Sequence, residues 1–146
     1  MLPRVDLQVR YKPLPRRPSA VFPESKVWLP LLDIIVIAGS QRRRTVALLD
    51  SGAGMNLFST HHAELLGIDW KSGPEMEIVG VGGYSTGYGF DLKIVIPAAN
   101  FAWPAKVIFS PGLDHAPLPL LGHVGFFENF EVRFRSAIRE FRVHLK

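Results

Sequence analysis

Cysteine is absent from this 146-residue chain. That absence excludes disulfides, thiolate catalysis and Cys-ligated zinc together, and it fits a reducing compartment. Long apolar runs are missing too. The longest, Val27 to Ala38, is interrupted by Pro30 and Asp33, and it falls well short of the roughly 20 residues that a membrane-spanning helix needs. The N-terminal stretch MLPRVDLQVRYKPLPRRP has no apolar h-region, an early Asp6 and scattered prolines, which argues against a signal peptide. A cytoplasmic protein without a membrane partner is expected. Neither G-x-G-x-x-G nor G-x-x-x-x-G-K-[ST] occurs, because Ser85 falls where the third glycine would stand, so nucleotide binding is set aside. HExxH is lacking as well. His61 and Glu64 share a helical i, i+3 spacing, but adjacent His61 and His62 diverge on a helix, and solvated surface histidines account for them. No metal or organic cofactor is implied.

What the chain does contain suits one compact domain: 47% of its residues are hydrophobic. With 13 Gly and 12 Pro, and strand-like runs outnumbering helical ones, an all-β fold with tight turns is expected. The formal charge is +4, and its densest basic run, Arg42-Arg43-Arg44, directly follows Gly39-Ser40-Gln41, where a hairpin turn is expected. No aromatic stacking partners are interleaved with it, so a solvated turn is favoured over a nucleic-acid patch.

Residues 1–26 carry Pro3, Pro13, Pro15, Pro18 and Pro23 among basic residues, the composition of an extended arm that packs late or not at all. The folded domain is expected to occupy residues 27–146. Val27 to Ile37 and Thr45 to Leu49 read as a hairpin that delivers Asp50 at its far end. Ser59 and Thr60 suit a helix start, with Ala63, Leu65 and Leu66 inside and Gly67 as the stop. Met76 to Val81 and the alternating Phe90, Leu92, Ile94 and Ile96 flank a glycine-rich tip, and Phe101 to Phe109 makes another strand. Pro111 to Pro119 is a turn-rich connection, Leu120-Leu121-Gly122 a brief strand, Gly125 to Phe130 one or two helical turns, and Glu131 to Phe134 and Phe141 to Leu145 closing strands. Trp28, Trp70, Trp103, Phe126 and Phe127 are assigned to packing.

The stretch LLDSGAGMNLFS, residues 48–59, ends an apolar strand in Asp-Ser-Gly-Ala. Such a sequence fixes a carboxylate on a tight turn: Gly52 frees the backbone, Ser51 offers a bracing hydroxyl, and the small Ala53 leaves room above. Taken alone, a turn-forming Asp beside glycine would explain it. At this point the chain resembles the retropepsin-like aspartic proteases, whose apolar-apolar-Asp-Ser/Thr-Gly-Ala box is matched by Leu48 to Ala53. Two further segments follow in the family's order. IVGVGGYSTGYG, residues 78–89, is similar to the flap that closes over substrate, and PLLGHVGFFENFEVRF, residues 119–134, to the second apolar-apolar-Gly segment with its short helix. Small bacterial retropepsin-like proteins are the nearest comparison. Two departures stand out: His123 where many relatives carry Arg, Asn or Asp, and Gly54 where Asp or Ser is common.

The resemblance implies a closed retropepsin-like barrel with a flap hairpin, and an aspartic endopeptidase acting on peptide or protein substrates. It gives Asp50, Ser51 and Gly52 to catalysis and Ala53, Gly80, Val81, Gly82, Gly83, Tyr84, Leu121 and Gly122 to substrate binding. Aspartic proteolysis uses two carboxylates that share a proton, and this chain has one Asp-Ser/Thr-Gly: Asp33, Asp69, Asp91 and Asp114 are followed by Ile, Trp, Leu and His. The second carboxylate is therefore expected from Asp50 of another copy in a homodimer, joined, by analogy, through the terminal strands. The rival reading is an inactive dimerisation or peptide-binding module of the same fold. A serine-hydrolase elbow at Gly83-Tyr84-Ser85-Thr86-Gly87 is disfavoured, because the strand FDLKIVI follows where a helix is required.

Overall fold

The computed structural model describes residues 4–116 and 118–146; Met1 to Pro3 of the expected arm and Pro117 of the expected connection lie outside them. In chain order the strands are β1 (Asp6–Arg10), β2 (Lys12–Pro15), β3 (Lys26–Leu29), β4 (Leu31–Ala38), β5 (Gln41–Leu49) and β6 (Leu57–Ser59). The helix α1 (Thr60–Leu65) follows, then β7 (Glu75–Gly80), β8 (Gly83–Ile96), β9 (Phe101–Ser110), β10 (Leu120–Leu121), β11 (Phe130–Arg135) and β12 (Glu140–Leu145). Among the described residues no helix is long and apolar enough to cross a membrane.

The fold is mostly β, and side-chain alternation explains why. In β4, Leu32, Ile34 and Val36 are buried while Asp33, Ile35 and Ile37 are less so. In β9, Trp103, Ala105, Val107 and Phe109 point inward. Each valine, leucine, isoleucine or phenylalanine among them contributes about 1.5–3 kcal/mol by leaving water, and a one-residue slip would turn the whole set outward. The large sheet runs β4-β5-β10-β6-β9-β8-β7, and β4 also pairs with β8, so the ladder of pairings returns to the strand on which it began. Trp103, Phe126 and Phe130 close one end of the core, with ring centroids 4.8–5.9 Å apart and the indole N–H donating to the Gly125 carbonyl at 2.9 Å.

Three expectations change. Val5 to Tyr11 do not hang loose: β1 pairs antiparallel with β12, and Val5 and Tyr11 are buried against the core. Of the described prolines in this stretch, Pro13 and Pro15 fall in β2 and Pro18 and Pro23 in the connection after it, and β2 pairs with β3 as a separate two-stranded ribbon. Arg42 to Arg44 are strand residues on the exposed part of β5, because the turn takes only Gly39 and Ser40, with Gly39 at φ +58°. No regular helix forms at Gly125 to Phe130. Gly125 sits at φ +104°, outside the helical region, and the amides of Phe127 and Glu128 reach back five residues to the Gly122 and His123 carbonyls. These turns follow the burial of Phe126 and Phe130, which overrides local helical preference.

Candidate active site

β10 fixes the end of β5. β10 lies parallel to β5, pairing Leu120 with Leu48 and Leu121 with Leu49, and the Asp50 amide donates to the Leu121 carbonyl at 3.0 Å. The chain then turns, with the Ala53 amide donating to the Asp50 carbonyl at 3.0 Å. Within that turn the Gly52 amide donates to Asp50 Oδ1 at 2.9 Å and so aims the carboxyl group. Ser51 is tied through its carbonyl, which accepts from His123 Nε2 at 2.6 Å.

Asn56, to which the sequence drew no notice, carries much of this arrangement. It is wholly buried; its Oδ1 accepts from the Gly122 amide at 3.0 Å and its Nδ2 donates to the Lys106 carbonyl at 3.1 Å. Gly122 crosses so close to the 53–55 segment that a Cβ there would lie 2.6 Å from the Ala53 carbonyl oxygen. Gly122 stands out in the sequence as the end of its apolar-apolar-Gly segment, whereas nothing local in the sequence marks Asn56.

Asp50 opens into a cleft of about 490 Å³ lined by Ala53, Leu57, Ile78, Leu113 and Leu120 and roofed by the β7–β8 hairpin. In that hairpin Gly80 pairs with Gly83 across Val81 and Gly82, and Val79, Val81 and Tyr84 are all strongly exposed. Asp50 is the one carboxylate among the cleft-lining residues. Three other aspartates are engaged elsewhere: Asp33 with Lys12 at 2.9 Å, Asp91 with Lys106 at 2.7 Å, and Asp114 with the Thr60 amide and hydroxyl at 2.8 and 2.9 Å. Asp114 thereby caps α1 from a distant segment, a role expected of Ser59, whose hydroxyl instead meets His62 Nδ1 at 3.1 Å.

The expected site residues divide between the cleft and its support. Asp50, Gly52, Ala53, Gly80, Val81, Gly82, Gly83 and Tyr84 line the cleft. Leu121 and Gly122 lie beneath it instead: Leu121 is fully buried, and alternation along β10 gives the cleft to Leu120. Ser51 faces a second groove of about 660 Å³ that also reaches Asp50, between Tyr11, Trp28, Pro30, Phe134 and Arg139. Ser85 lies within β8, and its hydroxyl meets Ser110 Oγ at 2.8 Å. It occupies no strand-to-helix elbow.

No family model and no curated protein matches the chain. Solved structures do. A retropepsin-like aspartic protease from Rickettsia conorii superposes with a TM-score of 0.62 at 13% identity, over 94% of this chain and 97% of that one. The EIAV protease in complex with the inhibitor HBY-793 gives a TM-score of 0.49 at 19% identity, over 65% of this chain and 82% of that one. On the first of these matches, the fold of this chain is that of a retropepsin-like aspartic protease.

Proposed function

We propose that the protein is an aspartic endopeptidase that works as a homodimer. The observation that carries this reading is the placement of Asp50: a carboxyl group at a strand end, aimed by the Gly52 amide into an apolar cleft under a hairpin. One carboxylate is chemically insufficient. Peptide hydrolysis on this plan needs one ionised group to take a proton from water while a second, protonated group gives one to the scissile carbonyl oxygen. Two copies related by a two-fold axis supply both from Asp50. The groove on the other side of Asp50 supports that arrangement, since Trp28 and Phe134 leave apolar surface exposed in it. Closure of the hairpin would exclude water beyond the one that reacts. The two carboxyls titrate as a coupled unit, so activity is greatest at mildly acidic pH, while one proton is shared.

The test is cleavage of an unbiased peptide library, read by mass spectrometry from acidic to neutral pH. Wild-type cuts should fall at least about 100-fold in Asp50→Asn. Adding an equal amount of Asp50→Asn to a fixed amount of wild type should leave about half the activity, as exchange forms mixed dimers with one carboxylate. No cuts from wild type, with a dimer present in the same tube, would overturn the enzyme reading. Retained binding of an extended peptide under the hairpin would then point to a binding module that grips by β-augmentation.

A further inference from the structure

His123 holds both carbonyls that flank Gly52. Its backbone amide donates to the Ala53 carbonyl at 3.0 Å, and its ring Nε2 lies 2.6 Å from the Ser51 carbonyl oxygen. A carbonyl can only accept, so Nε2 carries the proton in this contact. The ring is itself held. It packs against Phe127 with centroids 5.4 Å apart, Gly122 before it is tied to Asn56, and Val124 after it donates to the Gly54 carbonyl at 2.9 Å.

The Ser51 carbonyl and the Gly52 amide belong to one planar peptide unit. On one side that unit accepts from His123; on the other it donates to Asp50 Oδ1 at 2.9 Å. Turning the unit to break the first bond swings the second donor away from the carboxyl group. Hydrogen bonds in series also polarise one another, so donation to the carbonyl strengthens the amide as a donor.

We propose that His123 is a positioning residue for Asp50, acting through the Ser51–Gly52 peptide. This rests on the aspartic-protease reading for its catalytic consequence. Its bond to Ser51 does not depend on charge, because both the imidazolium and the neutral Nε2–H tautomer donate. Glu131, Arg133, Arg142, His144 and Lys146 share its groove, and Arg139 and Tyr11 line the groove at Asp50. A charge-based role for His123 would respond to those groups; a donor role does not.

The experiment compares wild type, His123→Leu and His123→Gln, whose amide nitrogen can stand in for Nε2. Dimer formation and thermal midpoint are measured alongside. His123→Leu should lower kcat about tenfold or more with KM nearly unchanged. It should also raise the acid limb of the pH profile, since a carboxylate that loses a donor is easier to protonate. His123→Gln should recover most of both. Loss in proportion to dimer dissociation or unfolding, or a Gln variant as poor as Leu, would overturn the proposal. The Gly52 amide, followed by NMR as pH is lowered, gives a readout that needs no catalysis. If wild type cuts nothing, the protease reading fails, while an Asp50 titration that moves upward in His123→Leu still upholds the relay. A titration that stays in place refutes it.

Discussion

Glycines where chains cross in the body and glycines at the hairpin tip differ in what an added methyl group would meet. At Gly122 and Gly87 a methyl group would collide, with the Ala53 and Met55 carbonyls in one case and with Ile78 and Ile108 in the other. At Gly80, Gly82 and Gly83 it would meet nothing within 4 Å. The same residue type thus does opposite jobs. In the body it permits chains to cross at contact distance, and in the tip it leaves a ribbon with little packed against it. Close packing belongs to the crossing beside the turn that carries Asp50, and open space to the hairpin tip above the cleft.

One methyl group placed at Gly122 and one at Gly82 should have very different effects. Gly122→Ala must push apart the β10 end and the 53–55 segment, and overpacking of this kind costs about 1–3 kcal/mol. The affected atoms are backbone carbonyls that cannot rotate away, so the upper end is expected. Gly82→Ala should shift stability by less than about 1 kcal/mol, because its φ is not positive and the site is open. Urea denaturation of both variants reads the contrast. Equal destabilisation would mean that the tip is packed after all.

A smaller effect tests how the tip is joined to the body. Ser110 is wholly buried and uses its full hydrogen-bonding capacity: it donates to the Thr86 carbonyl at 2.7 Å and accepts from the Gly112 amide at 3.1 Å. The remaining 2.8 Å contact must then run from the Ser85 hydroxyl to Ser110. One hydroxyl ties the root of the hairpin to the Pro111–Leu113 turn at the lip of the cleft. Ser110→Ala strands these groups at a cost of about 1–3 kcal/mol. The Gly112 amide should exchange faster while the β4–β5 ladder keeps its protection. Uniform loss of protection would show that Ser110 belongs to the general core rather than to a joint.

The parts of this arrangement that were legible in the sequence are those built from neighbours along the chain. β4 and β5 form a hairpin, strand alternation ends at Leu49, and the Asp-Ser-Gly-Ala turn follows at once, so Asp50 could be placed at a strand terminus. The β7–β8 hairpin was legible for the same reason. Asn56, Ser110 and Asp114 were not, because what defines them is a partner far along the chain, 66 residues away from Asn56 at Gly122 and 54 away from Asp114 at Thr60. β1 was missed likewise: its five residues have no apolar run, and they become a strand only by pairing with β12. At Gly125 to Phe130 local preference pointed to helix, and the burial of two phenylalanines decided otherwise.

The smallest effect separates the stability of the body from the chemistry of the site. His62 packs edge-on against Phe58, beside Ser59 and Thr45, and burial, reinforced by the neighbouring His61, lowers its pKa below the usual 6.5. In the unfolded chain the ring takes up a proton as pH falls through about 6.5, while in the folded chain it resists until lower pH. The unfolded state therefore binds more protons in that window, so stability falls as pH drops from about 6.5 through the lowered folded value, then levels off. The ring is only partly buried, and solvent screening keeps the loss below about 1 kcal/mol. Urea midpoints from pH 7.5 to 4.5 should show this slope in wild type and a shallower one in His62→Gln. On the proposed mechanism activity runs the other way, rising toward mild acid as the paired carboxyls come to share a proton. His62→Gln should therefore flatten the stability curve and leave the pH of greatest activity in place. If both curves moved together, the acid dependence of cleavage would be reporting the body rather than the carboxylates.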